Sequence, residues 1–474
     1  MSAQMDVDDF INALSSRIVG YLGDANSSAK VVDYLPAKSL SKTSDLKLPL
    51  EGRGLNSVLD DIDNYLKACV KTNRAEFMNP LWGGVSLAGL AGEIIASLSN
   101  TSMYTYELAP LATLIEQTII SRVGELIGFP QCAGSLTTGG SNGNMLGILC
   151  ARQAMIPTST QSGFDGREMV VFVSEEAHYS VLMAANVLGI GHRNVIKISC
   201  DLDGRMKPSS LEDEIAFAKK EGRIPFCVVA TAGTTVRGAF DPIRELADIA
   251  HREGLWYHID AAWGGSCLFS NKLNSLMSGC ELADSVCWDA HKMLGMPLIC
   301  SLFVVKDKTV LGRVCSHGDS AHYLFHSETE EVDLGRYSLQ CGRRNDALKL
   351  WLAWREKGDA GWAKLVDNYD ILAQYLEDRI NQETCLTMMS SRQWTNICFR
   401  FDPQQDDVDL NALNSEIRER IMQEGQFMFS KANIGDDIIL RIVISNPKVS
   451  EHTLDALVNE IITVGYEIIN KIPA

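Results

Sequence analysis

The chain has 474 residues, 46% of them apolar, which is enough for a large core and excludes wholesale disorder. A formal net charge of -17 argues against a nonspecific nucleic-acid binder, whose affinity comes from neutralising phosphates with lysine and arginine. The 13 cysteines are scattered without a CxxC pair or zinc-ligand spacing, so no metal is expected and reduced core thiols in a cytoplasmic compartment are the natural reading. No basic-then-apolar leader and no long apolar run is present, so no signal peptide and no membrane span are expected.

In chain order, residues 1–75 read as amphipathic helical segments around a loop, "LPAKSLSKTSDLKLPLEGRG". A piece of that size buries little alone and is expected to pack on the body or on a partner subunit. In residues 76–341 short apolar strands alternate with helical patterns. The strands are "MVVFV" (169–173), "NVIKI" (194–198), "FCVVATAG" (226–233), "WYHID" (256–260) and "LFVV" (302–305). The helical patterns include "SLEDEIAFAKKEG" and "DPIRELADIAHREG"; the second is expected to start with Asp241 as N-cap and Pro242 at N1, and to stop at Gly254. Such alternation predicts an α/β fold whose mostly parallel sheet has helices on both faces. Residues 342–474 hold two long helical patterns, the strands "WTNICFRF" and "IILRIVIS", and a closing helix from about Ser450, a smaller α+β unit.

Ligands of open parallel sheets sit at the carboxyl ends of strands, and the unusual polar residues fall there. "TTGGSNGNMLGILCAR" (137–152) is a glycine-rich helix start, with Ser141 and Asn142 expected to cap a helix from Asn144 to Arg152; it could seat a phosphate on free N–H groups near Gly140 and Ser141, or be an ordinary helix entry, and it lacks the Walker lysine. His178, in "SEEAHYSV", can lie flat on an aromatic ligand or serve as a capping or surface histidine. Asp260 ends an apolar strand and either pairs with a buried cationic nitrogen or caps the next segment. Ala261 and Ala262 leave room for a flat ring. Lys292, in "SVCWDAHKMLGM", is either a snorkelling surface lysine or an amine whose apolar setting tunes it for nucleophilic work. Together a phosphate seat, a stacking histidine, a buried acid and an accessible lysine are the parts of a pyridoxal 5'-phosphate site.

The ordered blocks "NTSMYTYELAP" (100–110), "TTGGSNGNM", "TAGTTVRGAFDPI" (231–243), "HIDAAWGG", "HKML" (291–294), "LQCGRRNDALKLW" (339–351) and "RIVISNP" (441–447) resemble the group II pyridoxal-phosphate-dependent amino-acid decarboxylases, most closely the glutamate and cysteine sulfinate branch. The resemblance runs from about Phe77 to the C-terminus. It implies fold type I with a seven-stranded central sheet, an N-terminal dimerisation arm, and an obligate homodimer with active sites at the interface. It also implies roles. Lys292 carries the cofactor and His291 lies near its phosphate. His178 covers one ring face and Ala262 the other. Asp260 holds the ring nitrogen protonated, Thr235 lies near the ring, and Gly140 and Ser141 hold the phosphate. Tyr323, in "SAHYLF", is the tyrosine of a mobile loop that protonates the product carbanion, with His178 assisting. Phe77, Asn79, Ser102, Tyr104 and Arg441 contact the substrate, with Arg441 gripping its distal acid.

The chain also departs from that pattern. The usual Asn-Pro before His-Lys is Asp289-Ala290, so Asp289 is expected to face away from the phosphate or pair with a basic group. The stretch after Tyr323 is a few residues shorter than in the animal glutamate enzymes. "FMNP" (77–80) replaces "FFNQ", which removes an amide at Pro80. Arg237 replaces an uncharged residue and is expected at the surface. An arginine at 441 matches a carboxylate or sulfinate and disfavours aromatic or basic substrates. Ser102 and Tyr104 resemble the cysteine sulfinate branch, and a larger Tyr104 shortens the pocket. Cysteine sulfinate or aspartate, giving hypotaurine or β-alanine with carbon dioxide, is therefore expected before glutamate giving GABA; 2,4-diaminobutyrate and aromatic substrates are remoter. The rivals are an aminotransferase or lyase with the same lysine and aspartate, and a non-catalytic homologue.

Overall fold

The computed structural model describes residues 5–23, 30–316, 325 and 332–471. Two compact units emerge, one of residues 85–373 with 390–397, the other of residues 1–84, 374–389 and 398–474.

The first unit is built on seven strands: β1 (Ala133–Thr137), β2 (Met169–Ser174), β3 (Val195–Ile198), β4 (Ile224–Thr231), β5 (Trp256–Asp260), β6 (Ser285–Asp289) and β7 (Ser301–Val305), in the order β1-β7-β6-β5-β4-β2-β3. Neighbours from β6 through β3 pair in parallel, and β7 opposes both β1 and β6. This is the mostly parallel α/β sheet expected. Every residue of β2, β5, β6 and β7 is buried, as strands covered on both faces must be.

Adjacent residues of β5 show the two coverings. Tyr257 donates its hydroxyl to the carbonyl of Ile243, which opens the helix Ile243–Glu253. His258 points to the other face, where the helix Gly140–Met155 lies on its ring. The Ile243 helix buries Ile243, Leu246, Ala247 and Ala250, one stripe at helical spacing, and ends at Gly254 with φ of 70°. Its start differs from expectation. Asp241 does not cap it; its carboxylate accepts the N–H groups of Met206 and Thr231, each at 2.7 Å. Burial raises that carboxyl to a pKa of about 7.

The Gly140 helix explains how the site is assembled. Glycines 143 and 147 let it approach the sheet: a Cβ at 143 would lie 2.4 Å from Cys287 Sγ, and one at 147 would lie 2.5 Å from His258 Nδ1. The helix begins at Gly140, earlier than the sequence suggests, so Ser141 and Asn142 sit in its first turn and not at its cap.

In the second unit a four-stranded sheet, ordered β10-β11-β9-β8, contains β8 (Leu386–Met388), β9 (Asn396–Phe401), β10 (Ser430–Ile434) and β11 (Asp437–Val443). The closing helix Glu451–Ile469 is capped by Ser450, whose hydroxyl accepts the N–H of Thr453. The segment around Phe77 is stitched to the C-terminal part: Met78 N–H donates to Met428 O at 2.9 Å, and Asn446 Nδ2 donates to Arg74 O at 2.6 Å.

Candidate active site

The carboxyl ends of β1, β2, β4, β5 and β6 converge on a cavity of about 180 Å³. It is lined by Gly140, Ser141, Asn144, His178, Thr231, Gly233, Thr235, Asp260, Ala262, Trp263, Asp289 and Lys292. Gly140, Ser141, His178, Thr235, Asp260, Ala262 and Lys292 are thus brought together as the sequence implied.

Lys292 sits in the turn after β6, its side chain about 20% exposed. Its setting is not wholly apolar as expected: Nζ lies 3.4 Å from Asp289 Oδ2. His291 Nε2 lies 3.7 Å from the same oxygen, while its Nδ1 lies 3.0 Å from the carbonyl of Cys300. Asp289 therefore pairs with basic groups, one of the two outcomes its sequence predicts. Its other oxygen, Oδ1, is buried with no hydrogen-bond partner in the structure. Burial lowers the His291 pKa, with the Asp289 charge opposing.

Asp260, at the end of β5, is held differently. Its Oδ2 accepts an N–H from Asn144 Nδ2 at 2.7 Å, and its Oδ1 accepts the backbone N–H of Ala262 at 3.1 Å. It caps the turn, one of the two readings its sequence offers, and it lines the cavity. Each oxygen of this buried carboxylate thus has a hydrogen-bond donor. Asn144, absent from the sequence-based candidates, also donates to Ser180 Oγ at 2.9 Å. Its signal was present: a polar side chain among the apolar residues of a helix that buries Leu146, Ile148 and Leu149.

His178 is half-buried, and its Nδ1 accepts the N–H of Ser180 at 3.2 Å, so the neutral ring carries its proton on Nε2. Its pKa is lowered by burial and, more weakly, by Lys292, against the pull of Asp260 and Asp289. Thr235 is fixed through its carbonyl, which accepts from Asn396 Nδ2 at 3.1 Å. Arg237 is not a surface side chain; about 12% exposed, it reaches Leu202 O at 2.9 Å and Glu176 Oε1 at 3.4 Å and clamps the loop after β4.

Other candidates lie elsewhere. Ser102 accepts the N–H of Arg343 at 3.3 Å, and the carbonyl of Tyr104 accepts the N–H of Gly335. Neither lines the cavity. Phe77, Asn79 and Arg441 belong to the second unit. There Arg441 is buried, with Nε donating to Ser430 Oγ at 2.8 Å, and burial lowers its pKa. Tyr323 lies outside the described residues.

The cavity suits pyridoxal phosphate. An amine, a buried carboxylate and a helix N-terminus surround it, and the missing side chain of Gly140 keeps it open: a Cβ there would lie 2.8 Å from Asp289 Oδ2 and 3.1 Å from Ala262 Cβ. The Gly140 and Ser141 N–H groups and the Ser141 hydroxyl would hold the phosphate, Asp260 the ring nitrogen, and Lys292 the aldehyde carbon.

Comparison with known proteins agrees. The family model described as the pyridoxal-dependent decarboxylase conserved domain matches residues 36–402. The acidic amino acid decarboxylase GADL1 of Bos taurus is 36% identical over 97% of this chain and 90% of its own length. The human cysteine sulfinic acid decarboxylase is 36% identical over 93% of this chain and 92% of its own. The crystal structure of mouse CSAD superposes with a TM-score of 0.93 at 34% identity, covering 97% of this chain and 98% of that one. With a lysine, a paired carboxylate and a phosphate seat gathered at the strand ends, and with relatives matched along nearly its full length, the chain belongs to the pyridoxal-phosphate-dependent amino-acid decarboxylases.

Proposed function

We propose that the protein removes the α-carboxylate of a small acidic L-amino acid, taking cysteine sulfinate or aspartate in preference to glutamate. The observation that carries the acidic class is the match, at 36% identity over more than nine-tenths of the chain, to relatives named for acidic and cysteine sulfinic acid substrates. Arg441 supports it, since guanidinium pairs with carboxylate or sulfinate by a two-pronged contact. Tyr104, larger than the residue of the glutamate branch, supports the shorter substrates.

The bound cofactor supplies an electron sink for the pair left when the Cα–carboxylate bond breaks. Lys292 would hold the cofactor through its side-chain amine. Asp260, which accepts from Asn144 and the Ala262 N–H, would face the pyridine nitrogen and stabilise a proton there. His178 would orient the ring from one face, with the Ala262 methyl on the other. Carbon dioxide leaves, and Tyr323 gives its Oη proton to Cα.

The enzyme is assigned as a cytoplasmic homodimer with active sites at the subunit interface. Large exposed apolar side chains on the helices Leu87–Ser99 and Pro110–Ile127, among them Leu87, Leu98 and Leu111, support an assembly. No described helix is long and apolar enough to cross a membrane.

The test is a substrate panel of cysteine sulfinate, aspartate, glutamate, 2,4-diaminobutyrate and an aromatic amino acid, with amine and keto-acid detection. Amine from the first two at the highest kcat/KM is expected. Amine from the aromatic substrate instead, or keto acid as product, overturns the reading. Arg441→Ala is expected to raise KM for the acidic substrates by roughly 10-fold or more, the loss of one charge-assisted pair. An unchanged KM removes Arg441 from the substrate site.

A further inference from the structure

We propose that Trp256, Ser285, His258 and Asn144 form a one-way hydrogen-bond relay that positions Asp260 and keeps it an anion facing the pyridine nitrogen. Ser285 and His258 are then positioning residues for the decarboxylation. The inference rests on the role given to Asp260 above.

The direction of every link follows from which groups can donate. An indole N–H only donates, so Trp256 Nε1 gives its hydrogen to Ser285 Oγ, 3.0 Å away. At the other end a carboxylate only accepts, so the group of Asn144 that lies 2.7 Å from Asp260 Oδ2 is its NH2. The Asn144 carbonyl oxygen must then face His258 Nε2, 3.0 Å away, and Nε2 must carry the ring hydrogen. A neutral ring leaves Nδ1 bare. It accepts the hydroxyl hydrogen of Ser285, 2.8 Å away, which the indole contact leaves free. The Asp260 end sets the amide orientation and the tautomer, and the Trp256–Ser285 end is compatible with both.

The setting enforces the order. Trp256, His258 and Asp260 alternate along β5 and share one face. Ser285 is the register partner of His258 on the neighbouring β6. All five residues are buried. Gly147 closes over the imidazole so tightly that a methyl there would meet it. Burial holds the His258 pKa down to about 4, so the ring is neutral near pH 7.

The consequence reaches the cofactor. If His258 took the other tautomer, its bare Nε2 would oppose the Asn144 carbonyl and turn the amide over. The amide oxygen would then lie against Asp260 Oδ2. Two acceptors in contact favour protonation of the carboxyl, and a neutral carboxyl no longer stabilises a charged pyridine.

The test reads two nuclei. In apo-protein labelled with 15N-histidine, His258 is expected as the neutral Nε2–H tautomer. In holoenzyme loaded with 15N-pyridoxal phosphate, the ring nitrogen is expected protonated at neutral pH. Ser285→Ala should mix the His258 tautomers and move the ring-nitrogen resonance toward its unprotonated position. It should also lower kcat roughly 10-fold with KM within about twofold, the scale of losing a group that orients a working side chain. Trp256→Phe, which keeps an aromatic ring and removes the N–H, should act in the same direction more weakly. An Nδ1–H tautomer in the wild-type apo-protein overturns the relay, and that measurement needs no variant to fold. So does an unchanged ring nitrogen in Ser285→Ala. Asp260→Asn separates the two readings. If it leaves the ring nitrogen protonated, the role of Asp260 is wrong. If it deprotonates the ring nitrogen and Ser285→Ala does not, only the relay fails.

Discussion

Neighbouring strands β5 and β6 each end in a buried aspartate that lines the same cavity, and the two are kept in opposite ways. Asp260 has a neutral donor on each oxygen and no cation among its hydrogen-bond partners. Asp289 has Lys292 Nζ and the His291 ring beside one oxygen, and among the described residues no hydrogen-bond partner on the other. A charge satisfied by neutral donors keeps its field for a ligand. A charge spent on an adjacent lysine is largely cancelled locally. Asp260 is therefore suited to act on the cofactor, whereas Asp289 is suited to setting Lys292 in place before the cofactor arrives.

The sharpest way to break this contrast is to neutralise each carboxylate in turn. Asp260→Asn is expected to lower kcat by roughly 10²–10³-fold, the scale of removing a preorganised electrostatic partner, with the protein still folded. A loss below about tenfold would place Asp260 with the structural acids. Asp289→Asn is expected to do much less to kcat and to tighten cofactor binding by about tenfold, because one negative charge leaves the region of the phosphate seat. Fluorescence titration of the apo-protein measures this, and weaker binding would show that the Lys292 pairing dominates.

The smallest expected effect is on pH-dependent stability. His258 has a folded pKa of about 4, below its unfolded value of 6.5. Below pH 6.5 the unfolded chain binds a proton that the folded chain refuses. Stability from this residue is therefore fully present above pH 6.5 and falls as pH drops toward 4, by about 3 kcal/mol at most. Asp241 runs the other way, since its folded pKa of about 7 exceeds the usual 3.8 and stability declines as pH rises between those values. The two slopes oppose each other across pH 4–6.5. His258→Gln, which cannot titrate, is expected to make the melting temperature fall more steeply with rising pH in that window. An unchanged slope would mean that His258 is not held neutral by the fold.

The strands were legible where burial on both faces writes a continuous apolar run. Trp256–Asp260 was expected residue for residue and Met169–Ser174 to within one residue, while Ile224–Thr231 starts and ends two residues before the expected 226–233. β1, with the sequence AGSLT, carries too little apolar character to announce itself, and its pairing comes from β7. Asp260 and Lys292 stood out because each follows such a run. Asn144 did not, because the glycines before it suggested a cap and a later helix start, whereas tertiary packing on Cys287 and His258 extends the helix back to Gly140. Asp241 misled for a related reason: a helix-start signature was present, but buried backbone donors in the next strand and loop competed for its carboxylate and won.

The contrast between the two aspartates depends on where the cofactor is tethered. Borohydride reduction of holoenzyme, followed by peptide mapping, tests that directly. The pyridoxyl phosphate mass is expected on Lys292, in the peptide that also carries Asp289 and His291. Label on any other lysine, or a holoenzyme from which the cofactor washes away unlabelled after reduction, would contradict the account.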